Sequence, residues 1–465
     1  MISTSGYTNG FVVTGSWLHI KGFELANVPM NMYSNNGISV SGGGNCIFES
    51  LNIHHMSGTG IFIGKGTGGH LVLNCDAHDN YDPNSNQGMG QNADGFGVHY
   101  QTAGAITIIR GCRAWWNSDD GYDLINQEVP VTVEYSWAMG NGYADYGTTN
   151  PTDGNGNGFK MGSSKTGVRH LVQGNVAWKN KASGFYANHS TGGNTWYNNT
   201  SFNNGTQYNM LASPADMPDV TITLTGALAH IMRNNLGMPN RNSNMTGVDT
   251  VFNSWDLSLT PATADFLSTT DPSVSGTGMS IESSGAIGPR PADGGMPRID
   301  FLKLATGSKM IDKGTDVGLP FVGSAPDLGA YEYGAVTTTG TGGTSGTAGA
   351  SGTAGAAGRG GAAGGGGGIG GSTVASGTAG TGTTGAGGIG GTSTTVGTGG
   401  ASTTGSAGTG VSGQAGSAGE SPGASGCACA LDARSGVPSL GSVVVLGALS
   451  ALLVGRRRRR VTARK

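Results

Sequence analysis

Between residues 30 and 210 one pattern recurs six times: a glycine, an apolar or aromatic residue, one variable residue, then usually a second apolar one. The copies are GISV (37–40), GIFI (60–63), GFGV (95–98), GYDL (121–124), GFKM (158–161) and GFYA (184–187), so successive starts lie 23, 35, 26, 37 and 26 residues apart. Three spacings sit near 25, and the two longer ones hold polar insertions, YDPNSNQGMGQN and YADYGTTNPTDGNGN. A second element precedes the glycine, visible in CRAWWNSDDG (112–121) and NVAWKNKASG (175–184). Short β-type runs such as AITII and VTVEYS alternate with Gly and Asn, and no amphipathic stretch of helical length intervenes. A fixed period of this size marks a solenoid. Neither the Leu/Asn consensus of a leucine-rich repeat nor a propeller blade motif is present. The pattern therefore predicts an all-β chain folded as a right-handed parallel β-helix, one coil per repeat, with the hand set by the crossover preference of parallel strands.

Composition bounds this solenoid. Of 465 residues 89 are glycine, and the excess is concentrated in 336–426, which is almost wholly Gly, Ala, Ser and Thr. Such a stretch buries too little apolar surface to offset chain entropy and reads as a disordered linker, leaving 1–335 as the folded domain. Residues 427–465 differ again: Cys427 and Cys429, an uncharged run from 437 to 455, then five arginines, Arg456–Arg460. Nineteen mainly apolar residues suffice to span a bilayer, with the arginine block held on the cytoplasmic side. This order of parts resembles the myxobacterial-type C-terminal sorting signal, which implies export, membrane association through the tail before processing, and a secreted or cell-surface location. The start of the chain shows no basic or apolar leader, so the β-helix is expected to be N-terminally incomplete. The net charge of −3 gives no ground for a nucleic-acid partner, and a monomer is expected. Cys46, Cys75 and Cys112 lack metal-ligand spacing and read as buried thiols, with Cys75 and Cys112 at equivalent coil positions. Of the adjacent Trp115 and Trp116, alternation sends one into the core.

The segment NSDDGYDLI (117–125) crowds Asp119, Asp120 and Asp123 into five positions. In a parallel β-helix equivalent positions stack about 4.8 Å apart. Asp94 and Asp120 both precede the repeat glycine, so they become neighbours on adjacent coils. Asp123 follows the aromatic residue, where the next coil carries Lys160. Register alone thus gathers four carboxylates and a lysine. A solvated acidic turn is the plain alternative for any one aspartate, and a solvated or salt-bridged side chain for the lysine. Four carboxylates in register call for a cation, and an all-oxygen set of flexible geometry suits Ca²⁺ better than Mg²⁺. EF-hand readings fail: DGNGNG (153–158) has Ser164 where a glutamate is required, and DPNSN (82–86) has Gln87 where glycine is required.

NADGFGVHY (92–100), WWNSDDGYDLI (115–125) and GNGFKMG (156–162) resemble, in order and separation, blocks of the family nine pectate lyases, right-handed β-helix enzymes that cleave polygalacturonate by β-elimination. The resemblance extends over about 10–335. Carried over, it implies Asp94, Asp119, Asp120 and Asp123 as Ca²⁺ ligands, Lys160 as catalytic base, and homogalacturonan, an acidic plant cell-wall polysaccharide, as substrate. SKMIDKGTDVGLPFVGSAPDLGAYEYG (308–334) resembles the closing strand and loop of such β-helices. Tyr143, Lys165 and Arg169, near the polar insertions, are candidate sugar contacts. Two other readings stay open on this fold: an inverting hydrolase of the polygalacturonase type, although its His-containing and Arg-x-Lys motifs are not evident, and a non-catalytic carbohydrate-binding adhesin.

Overall fold

Inward-facing apolar residues at period two, punctuated by glycine and asparagine, produce three strands per turn. The computed structural model describes residues 2–3 and 9–335, apart from 29–34, 86, 144–150, 164, 215–216, 218–219 and 273–284. The linker (336–426), the sorting tail and its expected membrane helix (437–455) lie outside the described residues. Among the described residues no helix is long and apolar enough to cross a membrane.

The 27 strands form three sheets of nine, each in sequential coil order, and every strand pair is parallel, as in Phe96↔Tyr122 and Tyr122↔Phe159. The repeat signature occupies one of them, here called the groove sheet: Phe11–Val13, Ile38–Val40, Ile61–Gly64, Phe96–His99, Tyr122–Gln127, Phe159–Ser163, Ser183–Tyr186, Thr206–Asn209 and Asn242–Ser243. A second sheet runs from His19–Lys21 to Asp249–Val251, and a third from Ile2–Ser3 to Leu236–Met238. The predicted β-helix is the fold, with both long insertions looped out between paired strands, since Ile61 pairs with Phe96 and Tyr122 with Phe159 across them; the second pair shifts register between Leu124 and Gln127.

Inside, like residues stack on like. Phe96, Tyr122, Phe159, Phe185 and Tyr208 form a continuous ring stack with centroids 5.0, 4.6, 4.9 and 5.1 Å apart and planes within 12° of parallel. Each such pair contributes about 0.5–1.5 kcal/mol beyond the area it buries. The turns between third and groove sheets carry an asparagine ladder. Each amide donates to the next coil's amide oxygen, Asn80 to Asn117 at 2.7 Å, Asn117 to Asn141 at 3.0 Å, Asn141 to Asn180 at 2.8 Å and Asn180 to Asn204 at 2.9 Å. This satisfies polar groups that the stacking forces into the interior.

The repeat glycine has a steric cause. A Cβ on Gly121 would sit 2.7 Å from the Gly158 carbonyl oxygen, 2.9 Å from Asn141 Nδ2 and 3.2 Å from Ala138 Cβ. Backbone and ladder cannot move aside independently, so Gly121→Ala should cost about 1–3 kcal/mol. Thermal unfolding measures this; an unchanged Tm would mean that adjacent coils part more easily than their hydrogen bonds suggest.

The outer face of the third sheet is covered by the C-terminal segment. Trp178, Phe202 and Leu236 pack there with Phe266, Phe301, Leu304, Met310 and Leu328. Arg113 and Arg290 both grip the buried Asp76, at 2.6 and 2.8 Å. Arg113 also donates to the carbonyls of Ala286 and Gly288, clamping this segment to the coils. Two expectations need correction. Trp115 is buried, but beneath this segment and stacked on His78 rather than inside the β-helix, because Ala114 takes the inward position. Trp116 sits in the following turn with φ 51°. The segment 308–334 supplies no closing strand; it crosses the outside, where Ala330 N–H meets Thr200 Oγ1 at 2.8 Å. Cys46, Cys75 and Cys112 are free and buried, and Cys75 N–H lies 3.4 Å from Cys112 Sγ.

Candidate active site

Outward positions of the groove sheet alternate with the aromatic stack, so the variable residue of each repeat faces away from the core. Strand pairing aligns Gly97 with Asp123, Asp123 with Lys160, and Lys160 with Tyr186. The turns just before these strands bring in Asp94, Asp119 and Asp120. All four aspartates and Lys160 are buried. Lys160 Nζ lies 2.9 Å from Asp120 Oδ2 and 3.3 Å from Asp123 Oδ2, and donates to Asn155 Oδ1 at 3.0 Å. The convergence expected from register alone is therefore present.

The two insertions hold this cluster. Asp119 accepts from Asn92 N–H at 3.0 Å and from Asn155 N–H at 2.5 Å, one contact from each loop. The loops also bind each other, Asp153 N–H to the Met89 carbonyl at 2.9 Å, and Lys181 Nζ ties the second down through the Thr152 and Gly154 carbonyls. Asp120 Oδ1 accepts from Asn157 N–H at 2.6 Å, and Asp94 Oδ1 from Asp120 N–H at 3.1 Å. Asp94, Asp119 and Asp120 are thus aimed by backbone donors that leave carboxylate capacity for a further partner, whereas Asp123 is held by Lys160.

His99 was not anticipated. It lies two residues beyond Gly97 on the same face, with Nε2 3.5 Å from Asp123 Oδ2. Its ring packs edge-on against Phe62. The alternation Gly97–Val98–His99 was the available signal. Asn155 and Lys181 carried none, because their roles depend on how a loop folds back.

Ligand atoms of Asp94, Asp119 and Asp120 all lie within 4.8 Å of one another, as do those of Asp94, His99 and Asp123. Oxygens bound at about 2.4 Å to one Ca²⁺-sized ion are separated by up to about 4.8 Å. Asp123 Oδ1 is buried without a hydrogen-bond partner. A hard divalent cation fits this donor set.

Electrostatics point the same way. Burial, then Asp123, Asp119 and Asp120, pushes the Asp94 carboxyl well above its usual range. Burial outweighs Lys160 in raising Asp120 to about 7, and burial with the Asp119 charge raises Asp82 to about 8. Burial alone would lower Lys160, but Asp120, Asp123, Asp119 and Asp94 hold its ammonium well above the ordinary lysine value. A consequence follows for cation-free protein. Asp120 and Asp82 titrate near 4 when unfolded, so from about pH 4 up to their folded values near 7 and 8 the folded state holds protons that the unfolded chain has already lost, and it gives up the last of them between pH 7 and 9. Stability therefore falls as pH rises through that window. The interior His170 and His230, lowered by burial to about 4 and about 3, are largely neutral in both states there. We expect Tm in chelator to drop by roughly 5 °C from pH 7 to 9, with Glu332, raised by burial to about 7, contributing from outside this cluster, and excess Ca²⁺ to remove the share that Asp120 carries. A flat chelated profile would show that these carboxylates do not strain the fold.

Lys165 is exposed, beyond the C-terminal end of the strand carrying Lys160. Tyr143 bridges to Pro151 at the base of the second insertion. Arg169 spends its guanidinium on the carbonyls of Ala227 and Ala229, at 2.7 and 3.0 Å.

A family model described as Pel9A-like, right-handed β-helix region, matches residues 1–242. The chain is 36% identical over 324 residues to pectate lyase L of Dickeya chrysanthemi, covering 70% of this chain and 68% of that one. It is 32% identical over 332 residues to pectate lyase L of Paenibacillus polymyxa, covering 66% and 65% respectively. Among solved structures, pectate lyase Pel9A superposes with a TM-score of 0.58 at 33% identity, covering 71% of this chain and 76% of its own. A rhamnogalacturonan lyase gives 0.53 at 31%, covering 64% and 73%.

Proposed function

The chain belongs to the Pel9A-like right-handed β-helix family and is a polysaccharide lyase of the pectate lyase kind; from that premise we propose that it is Ca²⁺-dependent, uses Lys160 as base, and cleaves polygalacturonate by β-elimination. The observation that carries the residue roles is the juxtaposition of Lys160 Nζ with Asp120 and Asp123, at 2.9 and 3.3 Å, on the outward face of the groove sheet.

Asp94, Asp119, Asp120 and Asp123 would hold the cation. When bound, Ca²⁺ supplies positive charge that pairs with the uronate carboxylate and acidifies the adjacent C5 hydrogen. Lys160 is aimed by Asn155 and by the two carboxylates, and loses its proton once their charge is otherwise balanced. Its neutral amine takes the C5 hydrogen as a proton. The electron pair left behind becomes the C4=C5 double bond, and the C4–O4 bond breaks with its pair on the oxygen. A new reducing end and a 4,5-unsaturated uronide result. Asn92 and Asn155, through Asp119, couple both loops to the site, so loop closure and carboxylate alignment go together. Tyr143, Lys165 and Arg169 remain proposed sugar contacts away from the reacting bond. The proposal extends to an exported, cell-surface monomer acting on wall homogalacturonan.

The test is ultraviolet absorbance of the unsaturated uronide, with polygalacturonate and separately rhamnogalacturonan, in Ca²⁺ and then in excess chelator. A Ca²⁺-dependent rise on polygalacturonate supports the reading. A rise only on rhamnogalacturonan would reassign the polymer, and new reducing ends without absorbance would overturn elimination.

A further inference from the structure

Elimination leaves one requirement unmet by the residues so far assigned: the departing O4 needs a proton. In an α-1,4-galacturonate chair the C5 hydrogen and O4 are both axial and on opposite faces of the ring. Base and acid must therefore flank the C4–C5 edge rather than share one side of it. Lys160 pairs in register with Tyr186 on the next coil, so both side chains leave the same sheet face about 4.8 Å apart. A ring edge presented between the two side chains would meet an amine on one side and a phenol on the other.

Tyr186 is not an ordinary groove aromatic. Its hydroxyl lies 3.0 Å from His189 Nε2, and His189 Nδ1 makes a short hydrogen bond with Oγ of Ser213, a fully buried serine. His189 reaches back only because Asn188 and His189 both adopt left-handed backbone, with φ 47° and 59°. Consecutive non-glycine residues in that region cost free energy and persist where the surroundings impose them. The acid role requires the tautomer in which Ser213 donates to Nδ1 and Nε2–H donates to the phenol oxygen, which leaves the phenol hydrogen for the substrate.

We propose that Tyr186 is the catalytic acid that protonates O4, with His189 and Ser213 as the residues that position it; this rests on the lyase reading with Lys160 as base. As the C4–O4 bond breaks, its electron pair takes the Tyr186 phenol proton; the departing oxygen is the anomeric oxygen of the new reducing end, and protonation during bond breaking spares the site a free hemiacetal alkoxide. The phenolate keeps the His189 Nε2–H hydrogen bond and regains a proton from solvent. Burial holds the phenol up at about 12, so Tyr186 enters each turnover protonated.

The experiment compares wild type, Tyr186→Phe and His189→Gln on polygalacturonate with saturating Ca²⁺, recording kcat, KM and the pH profile, with Tm as a check on folding. Tyr186→Phe should lower kcat by at least about 100-fold at nearly unchanged KM. His189→Gln should lower it by about 10-fold and shift the alkaline limb of the profile, which a merely structural role would not move. A kcat for Tyr186→Phe within about three-fold of wild type would assign O4 protonation to water and overturn the inference. A raised KM with unchanged kcat would make Tyr186 a sugar platform and overturn it equally. Should Tyr186→Phe fail to fold, an unshifted alkaline limb in His189→Gln would be the overturning result. Wild type giving no unsaturated product would sink the lyase reading itself, which separates the two failures.

Discussion

Lys160→Ala should lower kcat by three orders of magnitude or more, about 4 kcal/mol of transition-state stabilisation, while Ca²⁺ still binds. The lysine is buried against Asp120 and Asp123, so its removal has a second, separable effect. In chelator the carboxylates lose the ammonium nearest to them, and Tm should fall. In Ca²⁺ their charge is balanced and Tm should return nearly to the wild-type value. A purely structural lysine would give the opposite split, with a lower Tm in both conditions and activity recovered at lower temperature. Rates above about one-tenth of wild type would defeat the assignment as base.

Asp94→Asn should separate charge from shape at the centre of the cluster. Asp94 belongs to both candidate ligand groups, with Asp119 and Asp120 and with His99 and Asp123. Its carboxyl is pushed well above its usual range by burial and by three neighbouring carboxylates. An asparagine keeps the Oδ1 acceptor for Asp120 N–H and can still pair with Thr59 Oγ1, which now meets Asp94 Oδ2 at 3.2 Å. Chelated protein at pH 8 should therefore be as stable as wild type or more so, since an amide has no charge to bear or to neutralise beside three carboxylates. The Tm gain from added Ca²⁺ should shrink, and activity at limiting Ca²⁺ should fall by about 100-fold or more, with partial recovery at high Ca²⁺. Isothermal titration and melting in the same buffers check both halves. An unchanged Ca²⁺ affinity would remove Asp94 from the ligand set.

Much of this was legible because a solenoid is nearly one-dimensional. The glycine pattern set the register, and register set Asp123 beside Lys160 although 37 residues separate them. What escaped the sequence depends on folding that the repeat does not encode. Asn155 and Lys181 act through the second insertion, where loop conformation decides which atoms meet. The C-terminal segment was expected to add a strand, but it is held by Arg113, by its own Arg290 on Asp76 and by the outward tryptophans, side chains to which the repeat reading assigned no role. The expectation that one of Trp115 and Trp116 enters the β-helix failed for a related reason, since alternation does not reveal that an outward face is covered.

Each coil touches chiefly the coil before and the coil after it, and the proposed chemistry occupies five consecutive ones, from Thr59 through Asp94, Asp123 and Lys160 to Tyr186. Lineages could therefore lengthen or shorten this protein by whole coils at either end while the chemistry stays intact. Within residues 59–213, by contrast, gaining or losing one coil would separate carboxylates, base and acid in a single step. Natural variation in coil number should accordingly fall outside that window, and engineered extension of the groove for longer polymers should begin there.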